Sequence, residues 1–276
     1  MEQRKRNKGK EKDIFDLFGR VALVTGGASG LGRVFCEALA EFGADVALAD
    51  IDEVESRQTV EIINKVGRRS LSVKADVTHP DEVQHMVDET VAQLGAIDIL
   101  VNNAGITAKG ARIADMAIED WDRVIAVDLR GVFLCTRAVL PLMVRQGRGK
   151  IINIASVYGI RPFFEIGQLK PNAPYAAAKA GVISLTKETA LEYARDGIRV
   201  NCIAPGWHRG TGLGSAMQAT GGEERLKRYE ETLDRTTPMG RMGDPTELKG
   251  LVVYLASDAS SFVTGQVFIS DGGISI

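Results

Sequence analysis

The sequence contains few of the residues that form disulfides or bind metals. Its 276 residues include three cysteines, Cys36, Cys135 and Cys202, and three histidines. The cysteines are far apart, so they form neither a paired-cysteine metal motif nor a disulfide framework. His79 and His85 are explained better as surface residues than as metal ligands. We therefore expect no metal, and we expect buried free thiols in a reducing, cytoplasmic compartment.

Long hydrophobic runs and a large net charge are also absent. No apolar run is long enough to span a bilayer, and no apolar segment typical of a signal peptide follows the first charged residues. The 34 Lys and Arg residues against 36 Asp and Glu give a net charge of −2. This balance favours neither a nucleic acid nor a membrane as partner. With 45% hydrophobic residues, the chain is globular in composition, and its function must lie in a local site.

The charges are unevenly distributed along the chain. Residues 1–13 carry six basic and three acidic side chains. We predict that 1–13 is a flexible basic arm and that 14–276 is a single catalytic domain. A passive, solvated arm is favoured, and an arm that binds nucleic acid is the alternative.

From residue 20 onward, short apolar segments alternate with longer segments of helical period. This alternation is typical of parallel strands joined by crossover helices. The predicted strands are 21–25, 45–49, 71–75, 97–101, 150–154, 198–202 and 266–269. They predict an α/β fold of Rossmann type, which is a single doubly wound, seven-stranded parallel sheet with helices on both faces. Ligands bind at the carboxyl ends of the strands in such sheets.

A glycine-rich segment follows the first predicted strand and precedes a helical segment. Its sequence is Thr-Gly-Gly-Ala-Ser-Gly-Leu-Gly over residues 25–32. Small residues in this context let the backbone approach a pyrophosphate, which the amides at a helix N-terminus stabilise. A tight turn without a ligand is the alternative. The residues predicted to bind a dinucleotide here are Gly26, Ser29, Gly30, Leu31 and Gly32.

Asp50 ends the second predicted strand, 18 residues after Gly32. An acidic residue near this distance binds the adenosine ribose hydroxyls of NAD and repels the 2′-phosphate of NADP. Ser29 and Ile51 occupy positions where Arg or Lys would bind that phosphate. The sequence therefore predicts NAD as the cofactor. The alternative is that Asp50 only ends a strand and faces water.

Motifs over nearly the whole chain, from about Gly19 to Gly273, resemble those of the short-chain dehydrogenase/reductase family. They occur in the family's order, which makes the resemblance specific. The motifs are Thr25-Gly26-x-x-x-Gly30-x-Gly32, Asp76-Val77, Asn102-Asn103-Ala104-Gly105, Tyr175-x-x-x-Lys179, Pro205-Gly206 and Asp271-Gly272-Gly273.

The resemblance implies a hydride transfer between a nicotinamide and a substrate carbon. It implies that Ser156 binds the substrate oxygen and that Tyr175 is the general acid/base. Tyr175 and Lys179 are four residues apart, so they share a helix face, and a nearby ammonium lowers the pKa of a phenol. Besides the glycine segment, the implied cofactor-binding residues are Asp50, Asp76, Val77, Asn103, Ala104, Gly105, Tyr175, Lys179, Pro205 and Gly206.

The sequence departs from the family pattern in three places. Asp128 occupies the position of an asparagine that helps to hold a relay water, and we include it among the candidate catalytic residues. Residues 161–171 contain an insertion of about six residues by that comparison, which we expect beside the active site. Thr211 comes one position later than the family's nicotinamide-contacting threonine. Residues 212–235 resemble the family's variable lid over the substrate.

The sequence thus predicts an NAD-dependent oxidoreductase that interconverts a secondary alcohol and a ketone. Three segments, 205–209, 247–250 and 263–266, resemble the gluconate 5-dehydrogenase branch, which favours a polyol, a sugar or a sugar acid as substrate. A 3-oxoacyl-carrier-protein reductase is the enzymatic alternative, and an NAD-sensing scaffold or regulator is the non-enzymatic one. The family also implies a homotetramer or homodimer. The candidate ligands for a substrate carboxylate are Arg161, Lys170, His208 and Arg209.

Overall fold

A parallel sheet of seven strands forms the centre of the fold in the computed structural model, which describes residues 13–163 and 171–276. The order across the sheet is β3-β2-β1-β4-β5-β6-β7. This confirms the predicted α/β fold with its doubly wound sheet. The strands are β1 Val21–Thr25, β2 Asp45–Asp50, β3 Ser70–Lys74, β4 Ile99–Asn102, β5 Gly149–Ile154, β6 Ile198–Pro205 and β7 Val267–Ser270.

Helices cover both faces of the sheet. The α-helices are α1 Gly30–Glu41, α2 Glu53–Lys65, α3 Pro80–Leu94, α4 Ile118–Ile125, α5 Val132–Gln146, α6 Ala173–Tyr193, α7 Gly212–Thr236 and α8 Lys249–Ala256. A π-helical segment, 126–131, joins α4 to α5. Short 3₁₀ helices lie at Ile113–Asp115, Val157–Gly159, Ala194–Asp196, Pro245–Leu248 and Asp258–Ser260.

The two faces of the sheet bury separate hydrophobic cores. In β1, Ala22 and Val24 pack with α1, α2 and α8 on one face. Val21 and Leu23 pack with α3, α5 and the end of α6 on the other. Every residue of β1 is buried, as expected for a strand covered on both faces. This is why the predicted strands appear as continuous apolar segments.

Strand ends differ from the predicted ones by up to three residues because pairing partners decide them. β4 begins at Ile99, since the carboxylate of the preceding Asp98 accepts the Val21 amide at 3.1 Å and pairs with Arg148. β6 continues to Pro205, whose pairing partner in β7 is Ser270. The strand order reverses between β1 and β4, so the loops after β1, β4, β5 and β6 meet at one edge of the sheet.

A chain of buried amide and hydroxyl groups fixes α6 against the middle of the sheet. The Asn102 side chain donates a hydrogen bond to Asn153 Oδ1 at 2.8 Å, and the Asn153 side chain donates to Thr186 Oγ1 at 2.9 Å. Buried polar groups are costly to leave without a hydrogen-bond partner, so these bonds favour one position of α6 against the sheet. They thereby hold α6 in register with β4 and β5.

Parts of two predicted segments lie outside the described residues. These parts are residues 1–12 of the predicted basic arm and residues 164–170 of the predicted insertion, including Lys170. Within the described ranges, no helix combines the length and apolarity needed to cross a membrane.

Candidate active site

The glycine-rich turn between β1 and α1 is bound to the loop that follows β4. The Asn103 side chain donates hydrogen bonds to the carbonyl oxygens of Thr25 and Gly26, at 3.0 and 2.9 Å. The backbone amides of Asn103 and Ala104 each donate to Thr25 Oγ1 at 3.1 Å. The two motifs therefore form one continuous surface at the carboxyl edge of the sheet.

This turn has the geometry that a pyrophosphate needs. A Cβ on Gly32 would contact the carbonyl oxygen of Gly26 and lie 2.6 Å from Asn103 Nδ2, so no side chain fits there. Gly30, with φ of +53°, has no atom within 4 Å of a Cβ position, and it is the first residue of α1. The turn thus presents open space directly before the N-terminus of a helix, where an anion is stabilised.

Asp50 lies beside this turn at the end of β2. Its Oδ2 accepts the Ala28 amide at 3.0 Å, and its Oδ1 accepts the Asp52 amide at 3.1 Å. Both carboxylate oxygens are thereby fixed in position and keep lone pairs for further donors. The side chain is half-buried, so hydroxyl groups of a bound molecule can reach it.

The other predicted cofactor-binding residues lie in the loops of the same edge. Asp76 Oδ1 accepts hydrogen bonds from the amide and hydroxyl of Thr78, both at 2.8 Å. Burial alone would raise the pKa of Asp76, but these bonds hold that pKa below its usual range. Val77 packs against Gly131, and the Gly206 amide donates to Ser270 at 2.9 Å, which ties the Pro205-Gly206 loop to β7.

Ser156, Tyr175 and Lys179 come together at the carboxyl end of β5. Ser156 follows the strand and caps the 3₁₀ helix Val157–Gly159, accepting the Tyr158 amide at 3.3 Å. Tyr175 lies in the first turn of α6, after Pro174, a residue that favours a helix start. Burial raises the pKa of Tyr175, and the nearby Ser156 side chain acts against that rise. The family resemblance implied this grouping, and the structure places the three residues together.

The Lys179 ammonium is buried and has three neighbours. Its Nζ donates to the carbonyl oxygen of Ile154 at 3.0 Å, lies 3.0 Å from Asp128 Oδ2, and lies 5.4 Å from the centre of the Tyr175 ring. Burial lowers the pKa of Lys179, but the Asp128 carboxylate outweighs it and raises that pKa above the usual range. Lys179 is therefore an ammonium with a carboxylate counter-ion.

Burial makes the net pKa shift of Tyr175 opposite to the expected one, although Lys179 itself acts in the expected direction. Burial raises the pKa of Tyr175; Lys179 opposes this effect, and Asp128 adds to it. The sequence pattern showed the ammonium four residues from the phenol, but it did not show the desolvation or the counter-ion. In the described structure, the pKa of Tyr175 is above its usual value.

Aromatic side chains form one wall of the site. The Tyr158 ring meets the rings of Tyr175, Phe163 and Trp207 edge to face, with centroid distances of 5.8, 5.1 and 5.4 Å. Burial raises the pKa of Tyr158 to about 12, so its hydroxyl stays neutral. Sequence analysis missed Tyr158, and its only signal was its position two residues after Ser156.

The described candidates for a substrate carboxylate are engaged within the protein. Arg209 pairs with Glu230 and Asp234, both at 2.7 Å. Burial lowers the pKa of His208, and its ring contacts the Gly206 carbonyl oxygen at 3.3 Å. Arg161 donates to the carbonyl oxygens of Ile274 and Ile276 and stacks on Phe163. Thr211 precedes α7 and makes no side-chain capping bond to it; its hydroxyl donates to the His208 carbonyl oxygen at 3.0 Å.

Among the residues that the structure describes, no group of three or more His, Cys, Asp or Glu side chains is placed to hold a metal ion. All three cysteines are free and buried, as the sequence predicted.

Known proteins match this chain along nearly its whole length. A family model described as enoyl-(acyl carrier protein) reductase matches residues 26–275. The 2-dehydro-3-deoxy-D-gluconate 5-dehydrogenase of Escherichia coli (strain K12) is 39% identical over 264 residues, which cover 94% of this chain and 96% of that protein. The 3-oxoacyl-(acyl-carrier-protein) reductase of Thermotoga maritima is 40% identical over 260 residues, which cover 94% of this chain and 99% of that protein.

A solved structure agrees with these relatives. The gluconate 5-dehydrogenase from Burkholderia cenocepacia J2315, crystallised in complex with NADP and tartrate, matches with a TM-score of 0.84 and 38% identity. The match covers 95% of this chain and 98% of that one. Fold, site and comparisons together define a nicotinamide-dependent oxidoreductase of CH–OH groups. The chain belongs to the short-chain dehydrogenase/reductase family, as its motifs predicted.

The close approach at Gly32 makes a stability prediction. Gly32→Ala places a methyl group against the Gly26 carbonyl oxygen, so we expect the free energy of unfolding to fall by about 1–3 kcal/mol. Gly250→Ala is the matched control, since Gly250 is exposed in α8 and has open space around it. We expect Gly250→Ala to raise the free energy of unfolding by about 0.5–1 kcal/mol. Urea denaturation measures both, and equal values for the two variants would contradict the close approach.

Proposed function

We propose that this protein is an NAD-dependent dehydrogenase in which Tyr175 moves the proton of a secondary alcohol or ketone. The observation that carries the proposal is the meeting of Ser156, Tyr175 and Lys179 beside the glycine-rich turn, at one edge of the sheet. A protein that only senses a dinucleotide has no chemical need for this trio, which argues against the scaffold alternative. The bound nicotinamide supplies the hydride chemistry.

The roles follow from position and charge. The Ser156 hydroxyl, next to the phenol, binds the substrate oxygen and holds it within reach of Tyr175. Tyr175 accepts the alcohol proton in oxidation and returns it in reduction. The Lys179 ammonium supports the phenolate and is the residue proposed to bind the nicotinamide ribose. The loops that carry Asn103, Ala104, Gly105, Pro205 and Gly206 surround the same space, and they are proposed to hold the cofactor.

Asp50 supports NAD over NADP as the cofactor. Its two oxygens are fixed by the Ala28 and Asp52 amides, so an additional phosphate would meet a carboxylate that cannot turn away. A family member crystallised with NADP shows that this fold can hold the phosphorylated dinucleotide. The choice in this chain therefore depends on the local charge.

The cofactor proposal predicts a change in specificity when the carboxylate is removed. In the native protein, kcat/KM for NAD should exceed kcat/KM for NADP, and Asp50→Ala should lower this ratio by about tenfold or more, which is about 1.4 kcal/mol. Asp50→Asn is the matched variant, because its amide oxygen still accepts a backbone hydrogen bond while the charge is gone. A native preference for NADP would contradict the role given to Asp50.

A polyol, a sugar or a sugar acid is the proposed substrate class. The relatives named for gluconate chemistry support it. A 3-oxoacyl-carrier-protein reductase is the alternative, supported by the Thermotoga maritima relative. Since Arg161, His208 and Arg209 are bound within the protein, a substrate carboxylate is not expected to draw on a free cation from these three. This favours neutral polyols and sugars within the proposed class.

A panel of polyols, sugars, sugar acids and a 3-oxoacyl thioester, followed by the absorbance of the reduced cofactor, tests the function. We expect turnover with NAD on at least one hydroxyl substrate, and Tyr175→Phe should reduce kcat by several orders of magnitude with little change in NAD affinity. Tyr193→Phe is the matched control, because Tyr193 lies 18 residues further along α6, about 27 Å away. Full activity in Tyr175→Phe would overturn the assignment, and tight NAD binding without turnover on the whole panel would favour the sensor.

We also propose that the protein is a cytoplasmic homo-oligomer. Its three reduced, buried thiols suit a reducing compartment. The apolar side chains of Trp121, Phe133 and Val144, on α4 and α5, are 40%, 47% and 38% exposed in the single chain. A second copy of the chain would cover them.

Light scattering coupled to size-exclusion chromatography should therefore give a mass of two or four chains. Phe133→Glu should lower that mass, because it places a charge in the proposed contact. Glu119→Gln, a charge change at an exposed residue of α4, is the control. A monomeric native protein would contradict the proposal.

A further inference from the structure

Asp128 is a buried acidic group next to Lys179. It lies in the π-helical segment 126–131 and is 0% exposed. Its Oδ1 accepts the Ile106 amide at 2.7 Å, and its Oδ2 lies 3.0 Å from the Lys179 ammonium. One carboxylate oxygen therefore holds the loop after β4, and the other faces α6.

The loop after β4 covers the contact between Asp128 and Lys179. A Cβ on Gly105 would lie 2.8 Å from Asp128 Oδ2 and 3.2 Å from Lys179 Nζ. Only a residue without a side chain lets the backbone pass this close to both charges. The ion pair is therefore enclosed by protein, where charges interact more strongly than in water.

A counter-ion changes what the ammonium does for the phenol. A lone ammonium stabilises the nearby phenolate of Tyr175, whereas a carboxylate on the far side of that ammonium opposes the stabilisation. We propose that Asp128 is a positioning residue that holds Lys179 as one half of a buried ion pair, so that Tyr175 faces a nearly neutral pair instead of a free positive charge. The inference depends on the proposed function, because it assigns Tyr175 as the proton-transfer group.

The other titratable groups around α6 do not replace this pair. Burial raises the pKa of Tyr158, in the 3₁₀ helix after Ser156, to about 12, so its hydroxyl stays neutral. Burial raises the pKa of the Cys202 thiol, in β6, to about 11. The charged residues of α4 lie toward the surface, where Asp120 pairs with Arg123 at 2.7 Å. Asp128 and Lys179 are thus the two buried charges that act on the phenol.

Burial raises the pKa of Asp128, and the Lys179 ammonium and the Ile106 amide act against that rise. Burial raises the pKa of Tyr175, Lys179 lowers it and Asp128 raises it. The Asp128 carboxylate also holds the pKa of Lys179 above its usual range. Removing the carboxylate therefore leaves an ammonium whose field is no longer offset, and the phenolate becomes easier to form.

The test is the pH profile of kcat/KM for alcohol oxidation in the native protein and in Asp128→Asn. Oxidation needs the phenolate, so the rate falls as the pH falls through the pKa of the base. In Asp128→Asn this acidic limb should move to lower pH by about one unit or more, a change of about tenfold in rate on the limb. Asparagine is the chosen substitution because its amide oxygen still accepts the Ile106 amide. Asp120→Asn, the same change at the surface of α4, should leave the limb in place.

An unchanged limb, or a limb at higher pH, in active Asp128→Asn would overturn the inference and leave the proposed function intact. A second measurement needs neither turnover nor the Asp128→Asn variant. The absorbance of tyrosinate is followed against pH in the native protein and in Tyr175→Phe, and the difference between the two curves reports Tyr175. We expect this difference to titrate above the ordinary tyrosine pKa of about 10. Titration well below that value would show that the ammonium acts without its counter-ion and would overturn the inference. Failure of the native protein on the whole substrate panel, by contrast, would count against the proposed function alone.

Discussion

The buried ammonium of Lys179 is the contact on which the site depends. It bonds to the end of β5 through the Ile154 carbonyl oxygen, pairs with Asp128 of the π-helical segment, and faces Tyr175 one helical turn away. A charge buried in this way is stable only when every neighbour stays in place. The same interactions that keep the ammonium in the interior therefore also fix the distance between the strand that carries Ser156 and the helix that carries the phenol.

The sheet topology explains why so few residues form the site. The strand order reverses between β1 and β4, so the glycine-rich turn and the loop after β4 lie side by side, and Asn103 joins them by hydrogen bonds to Thr25 and Gly26. The loops after β5 and β6 close the same edge. A dinucleotide on the turn and a substrate at Ser156 and Tyr175 would therefore meet over one surface, as hydride transfer requires.

The charged side chains at this edge of the sheet are held by other groups of the protein. Asp50 has both oxygens fixed by backbone amides at the turn, and Asp128 is enclosed against Lys179. Arg209 is held by two acidic residues of α7. Most of these charges are thus neutralised or oriented by the protein itself, which leaves hydroxyl groups and an aromatic wall to face a substrate. Such a surface discriminates by shape and by hydrogen bonds more than by net charge.

The sequence by itself determined the seven strands and the family, because strand period and motif order are local properties. Helical spacing placed Lys179 on the same face as Tyr175, and the family resemblance assigned Ser156 to the same site. The sequence did not predict strand ends such as Pro205, because a pairing partner in β7 determines where β6 ends. Only the tertiary structure placed Tyr158 beside Tyr175 and engaged Arg209 with α7. It also decided the direction of the Tyr175 pKa. Burial and a counter-ion 47 residues away in sequence set that pKa, and no local pattern encodes the solvent and charges that a fold brings to one atom.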